Sequence, residues 1–115
     1  MDIGAKGLAE VNLTIPQGTS LHFEVIHTDE EGAVIDHSAS TVKMALQGGG
    51  GSYDLSEWCT GGHDSIVVDV PGEATKALPI GKQAWDMIVL TSGGGSIRMC
   101  YGSAKVVDTY ALDGE

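Results

Sequence analysis

The sequence predicts an all-β fold: an antiparallel β-sandwich of about seven short strands with one short helical crossover. Three observations carry that prediction. Apolar residues recur at every second position in most of the periodic stretches, which is the period of a half-buried strand and not of a helix. Seventeen glycines in 115 residues, many of them clustered, break those stretches where tight turns are needed. One stretch alone, between Pro71 and Pro79, reads as helical.

Residues 1–7 (MDIGAKG) have no periodic pattern and are expected as a loose arm. Residues 8–15 (LAEVNLTI) place Val11, Leu13 and Ile15 on one face, and Pro16-Gln17-Gly18 ends the strand. In residues 20–28 (SLHFEVIHT), Leu21, Phe23 and Val25 alternate with His22, Glu24 and Ile26. The acidic piece Asp29-Glu30-Glu31-Gly32 is a hairpin turn leading into residues 33–35. Residues 40–47 (STVKMALQ) set Val42, Met44 and Leu46 against Thr41, Lys43 and Ala45. The QGGGGS run that follows is a loop without side chains to anchor it.

Residues 56–60 (SEWCT) make a short strand and residues 65–70 (SIVVDV) a firmer one. The stretch from Pro71 to Leu78 is about two helical turns, opened by one proline and stopped by another, and serves as a crossover between strands. Residues 81–107 (GKQAWDMIVLTSGGGSIRMCYGSAKVV) form a long hairpin around a glycine turn. Turn signals every eight to twelve residues or so are those of an antiparallel β-sandwich or barrel, and the fold expected is an immunoglobulin-like sandwich. The length fits one domain, 1–115, with 1–7 and 111–115 as flexible arms.

Six basic residues face sixteen acidic ones, a formal net charge of −10. The cations Lys6, Lys43, Lys76, Lys82, Arg98 and Lys105 are scattered along the chain. Phosphate backbones and anionic membranes are held by clustered cations, so neither nucleic acid nor membrane is an expected partner. Cys59 and Cys100 lie far apart, in no zinc-ligand or CxxC spacing, and are expected as free thiols. The N-terminal residues lack the basic and apolar regions of a signal peptide, and no apolar run reaches the length of a membrane span.

The chain offers little for catalysis, and no cofactor is expected. His22, His27, His37 and His63 show neither HxH nor HExxH spacing, so they read as solvated surface histidines and not as metal ligands. The glycine runs at 48–51 and 93–95 lead towards strands, without the lysine and helix of a phosphate-binding loop. Ser96 and Ser103 stand outside any GxSxG elbow, and a thiol inside a strand, as at Cys100, is inert packing. The chain is therefore not expected to be an enzyme.

The final hairpin is more informative. Period two places Trp85, Met87 and Val89 on one face and Asp86, Ile88 and Leu90 on the other. Phe23, Trp85 and Met87 are the candidate core anchors. Arg98 on the paired strand is the natural neighbour for Asp86. With apolar residues on both faces, the hairpin is a candidate interface formed by Asp86, Ile88, Leu90 and Arg98, with Cys100 on the same strand.

Taken in order, several motifs bring a family into view. They are Gly18-Thr19-Ser20 before an alternating strand, the strand Val42 to Leu46, Ile66 to Pro71 ending in proline, and the crossover Thr75 to Gly81. Trp85-Asp86-Met87, Arg98-Met99 and Gly102 complete the series. About nine tenths of the chain in this way resembles a β-sandwich module of bacteriophage structural proteins, seen standing alone and at the N-termini of baseplate and tail-fibre proteins. The QGGGGS loop, Gln83 and the glycine triplet 93–95 depart from that pattern.

The resemblance implies a non-enzymatic virion structural or assembly protein of the tail, baseplate or head-attached layer. It would act through contacts with other virion proteins and with itself as a homo-oligomer. It also implies location in the virion after synthesis in a host bacterial cytoplasm. The alternative is a carbohydrate- or host-surface-binding module of a phage tail, which would draw on Tyr53, Trp58, Tyr101 and Tyr110.

Overall fold

In the computed structural model, which describes residues 1–48 and 51–109, the alternating stretches pair into two sheets. The strands are β1 (Asp2–Ile3), β2 (Ala9–Glu10), β3 (Leu13–Pro16), β4 (Leu21–His27), β5 (Thr41–Gly48), β6 (Gly51–Asp54), β7 (Cys59–Gly61), β8 (Ile66–Val70), β9 (Gly81–Leu90) and β10 (Ser96–Val107), with a helix α1 (Gly72–Lys76) between β8 and β9. The smaller sheet has the order β1-β4-β8-β7. The larger has the order β2-β10-β9-β5-β6, with β3 also on β10. The fold is all-β.

The sheets are mixed, which corrects the purely antiparallel expectation. β1 runs parallel to β4, and both β2 and β3 run parallel to β10. A hairpin turn forces antiparallel pairing, but no hairpin links the N-terminal residues to either partner. This segment runs from the edge of the smaller sheet to the edge of the larger one. The stretch expected as one strand over 8–15 is thereby split into β2 and β3. Residues 1–7 are expected as a loose arm, yet Ile3 is buried and its carbonyl accepts the Thr28 N–H at 2.9 Å. The expected arm at 111–115 lies outside the described residues.

Other differences are local. Asp29 makes the expected turn, its carboxylate accepting the N–H groups of Glu31 and Ala33 at 2.9 Å, but residues 33–35 contribute only a bridge from Val34 to Thr28. The expected strand at 56–60 begins with a 3-10 turn, Ser56–Trp58, before β7.

α1 carries the chain from one sheet to the other and is anchored by a buried threonine. The Thr75 hydroxyl donates to the Thr19 carbonyl at 2.6 Å and accepts the Gly18 N–H at 3.1 Å. Gln17 Nε2–H adds a bond to the Leu78 carbonyl at 2.9 Å. The glycine-threonine turn before β4 and the crossover before β9, far apart in sequence, are thus one structural unit.

The core lies between the sheets. Val25, Ile66, Val68 and Val70 from the smaller sheet meet Met44, Leu46, Met87 and Val106 from the larger, all buried. Trp85 is buried and meets the half-buried Phe23 edge-to-face, ring centroids 6.1 Å apart. Its indole N–H donates to the Val11 carbonyl at 2.7 Å, which ties the β2–β3 segment to the core.

Candidate interface on the outer face of the larger sheet

β9 is the spine of this surface. Gln83, Trp85, Met87 and Val89 turn into the core, while Lys82, Ala84, Asp86, Ile88 and Leu90 face outward, half-buried or exposed. β5 lies alongside, with Ala45 paired to Asp86 and Lys43 to Ile88, so these two side chains share the outer face.

β10 departs from strict alternation at one point. Its register against β9 slips between Arg98 and Cys100, the mark of a β-bulge at Met99. Met99 and Cys100 are both fully buried. On either side of the bulge Arg98 and Tyr101 emerge on the outer face. Arg98 Nε lies 3.4 Å from the Asp86 carboxylate, and its guanidinium carbon sits 4.8 Å over the Tyr101 ring. A half-exposed ion pair of this kind stabilises by about 0.2–1 kcal/mol. Its larger effect is to orient the arginine, with the cation held against an aromatic face.

Asp86, Ile88, Leu90 and Arg98 are therefore brought to one surface, with Leu90 40% exposed. Cys100, which period two puts beside Arg98, is not among them, because the extra residue in the bulge turns it inward. Tyr101 takes its place. A shallow groove beside this patch has Lys43, Ala45, Ser52, Asp54, Asp86 and Ile88 in its walls. Hydrogen bonds from Ser56 hold the Asp54 carboxyl below its usual pKa, with a smaller effect from Lys43, so the groove keeps its negative charge at neutral pH.

The aromatic residues considered for sugar binding are placed differently. Tyr53 and Trp58 are partly buried against the core, and Tyr101 lies under Arg98. Tyr110 lies outside the described residues. Ser103 donates through both its N–H and its hydroxyl to Asn12 Oδ1. Cys59 and Cys100 are free thiols. Burial pushes Cys59 up to about 11 and Cys100 up to about 12, so both stay protonated and poorly nucleophilic at neutral pH.

Two histidines correct the sequence reading. His27 and His37, expected on the surface, are buried and stacked with ring centroids 5.1 Å apart. A carbonyl only accepts, so His27 Nε2 carries the hydrogen that meets the Ala5 carbonyl at 3.1 Å. His27 Nδ1 then accepts from His37 Nε2–H at 2.8 Å, and His37 Nδ1 accepts from the Ser40 hydroxyl at 2.9 Å. Every ring nitrogen of the pair thus has a partner, and burial followed by the neighbouring His27 lowers the His37 pKa. Beside it the exposed His63 and Asp36 meet at 2.7 Å, with Asp36 held down at about 2 mainly by bonds from Ser38. These residues give no sequence signal as a group, because the loop after β4 brings them together. Among the described residues no three His, Cys, Asp or Glu side chains group as metal ligands.

No protein-family model matches this chain, and no curated protein matches it.

Proposed function

We propose that this chain is a non-enzymatic structural or assembly protein of a phage or prophage virion, acting through protein–protein contacts in the tail, baseplate or head-associated layer. The observation that carries the reading is the outer face of the larger sheet. Asp86, Ile88, Leu90 and Arg98 lie together there on a half-apolar surface held by the Arg98–Asp86 pair, the composition of a docking face. The ordered motifs supply the virion context, and the two-sheet architecture is compatible with the β-sandwich module they resemble. The partners in this reading are other virion proteins and further copies of the chain. The carbohydrate-binding reading is the weaker one, since Tyr53 and Trp58 pack against the core and do not line a groove.

The test is direct. Particles purified from a lysate of the strain carrying the gene should contain the protein at fixed stoichiometry by mass spectrometry. Its absence from intact particles, with the free protein abundant in the same lysate, overturns the reading.

A further inference from the structure

The outer face of the larger sheet differs in charge from the rest of the chain. Lys43, Lys82, Arg98 and Lys105 all point outward there, four of the six basic residues. The acids that share the face are Glu10, Asp54 and Asp86. Of the sixteen acids, Asp113 and Glu115 lie outside the described residues, which leaves eleven elsewhere on the described surface against Lys6 and Lys76. Residues scattered in sequence are thus collected by the strand register onto one side of a strongly acidic molecule.

Within the face the charges are not all balanced. Arg98 has Asp86, and Lys43 shares a groove with Asp54. Lys82 and Lys105 are direct cross-strand partners on β9 and β10, both exposed, and neither makes an ion pair among the described residues, Glu10 lying nearest as a neighbour of Lys82 in one groove. Like charges directly opposite each other destabilise a sheet, and an anionic group placed over them relieves the repulsion. Between these lysines and Arg98 lie Ala84 opposite Ser103 and Asp86 opposite Tyr101, and the small Ala84 and Ser103 leave the two lysines standing proud of the sheet beside them.

We propose that this face docks onto the acidic outer face of the smaller sheet of a second copy, with Lys82 and Lys105 meeting Glu24 and Asp69. Glu24 and Asp69 stand exposed on β4 and β8, beside His22, which is 3.7 Å from Asp69. The inference rests on the assembly reading above and names its partner. The two surfaces differ, so the contact is heterologous and repeats into a stack or a ring. Strand spacing and rise give the face roughly 600 Å², somewhat below the usual share of one partner in a standard interface. The contact is therefore of moderate strength and sensitive to salt.

Sedimentation velocity on the full chain tests this. Association at about 20 mM NaCl should weaken at least tenfold by about 300 mM, where surface charges are screened. The variants K82E/K105E and E24K/D69K should each be monomeric at low salt, with unchanged circular dichroism. Mixed in equal amounts, they should associate again, since the intact basic face of one meets the intact acidic face of the other and the two reversed faces are complementary in turn. Association that survives K82E/K105E overturns this interface and leaves the assembly reading standing. A mixture that stays monomeric overturns the head-to-tail geometry. A parent monomeric at low salt overturns the inference, while the particle test still decides virion membership separately.

Discussion

Replacing Gly102 by alanine should destabilise the domain through a contact between segments distant in sequence. A Cβ at this position would overlap the Val11 carbonyl oxygen and lie 3.0 Å from Asn12 Oδ1. Gly102 does not have a positive φ, so the cost is steric and not conformational. The carbonyl is held in place: Val11 N–H donates to the Tyr101 carbonyl at 2.8 Å, and Trp85 Nε1–H donates to Val11 at 2.7 Å. To admit the methyl group, Val11 must retreat and release the indole N–H inside the core. An unpaired buried donor costs about 1–3 kcal/mol, and the strained neighbouring bonds add about 1 kcal/mol. The expected loss is about 2–4 kcal/mol, or roughly 8–16 °C in Tm for a domain of this size. Urea denaturation of Gly102→Ala, Trp85→Phe and the double variant is the assay. Trp85→Phe already lacks the indole bond, so the second change should cost about 1 kcal/mol less in that background. A Gly102→Ala protein melting within about 2 °C of the parent, or costs additive to within about 0.5 kcal/mol, would refute the reasoning.

Trp85→Ala removes a buried ring as well as the bond and should cost about 3–5 kcal/mol by thermal denaturation; a small change would show that Trp85 does not anchor the core. Thr75→Val keeps the volume but leaves Gly18 N–H and the Thr19 carbonyl without their partner. It should cost about 1–3 kcal/mol, with faster amide exchange at residues 17–20 as its local signature. Acid should weaken the fold through His37: its folded pKa is lowered, so the unfolded chain binds more protons between that value and 6.5. Stability then falls as pH drops below 6.5, by up to about 1.4 kcal/mol per pH unit for one proton. The exposed His63, whose pKa Asp36 raises, works in the opposite sense, its contribution fading as pH rises. A Tm constant from pH 7.5 to 5.5 or so, or an acid slope unchanged in His37→Gln, would count against the buried pair. Cys59 and Cys100 should resist a thiol reagent in the native protein at neutral pH and react in urea; rapid native labelling of Cys100 would contradict the bulge that buries it.

The sequence by itself determined the strands whose alternation is uninterrupted. In β4, β5, β8 and β9 the period of two both defines the strand and selects its buried face, because a side chain one position along points the other way. Pro71 and Pro79 likewise marked the crossover, since proline cannot continue a strand or helix beyond its place. Tertiary structure decided what alternation does not encode. The parallel N-terminal pieces depend on which sheet edges remain open. The bulge at Met99 shifts the count by one, exchanging Cys100 for Tyr101 on the outer face. The His27–His37 pair exists because a loop returns beside β4 and excludes water from both rings. The gathering of four cations on one face follows from strand register, which fixes neighbours at 4.8 Å or so across the sheet however far apart they lie along the chain.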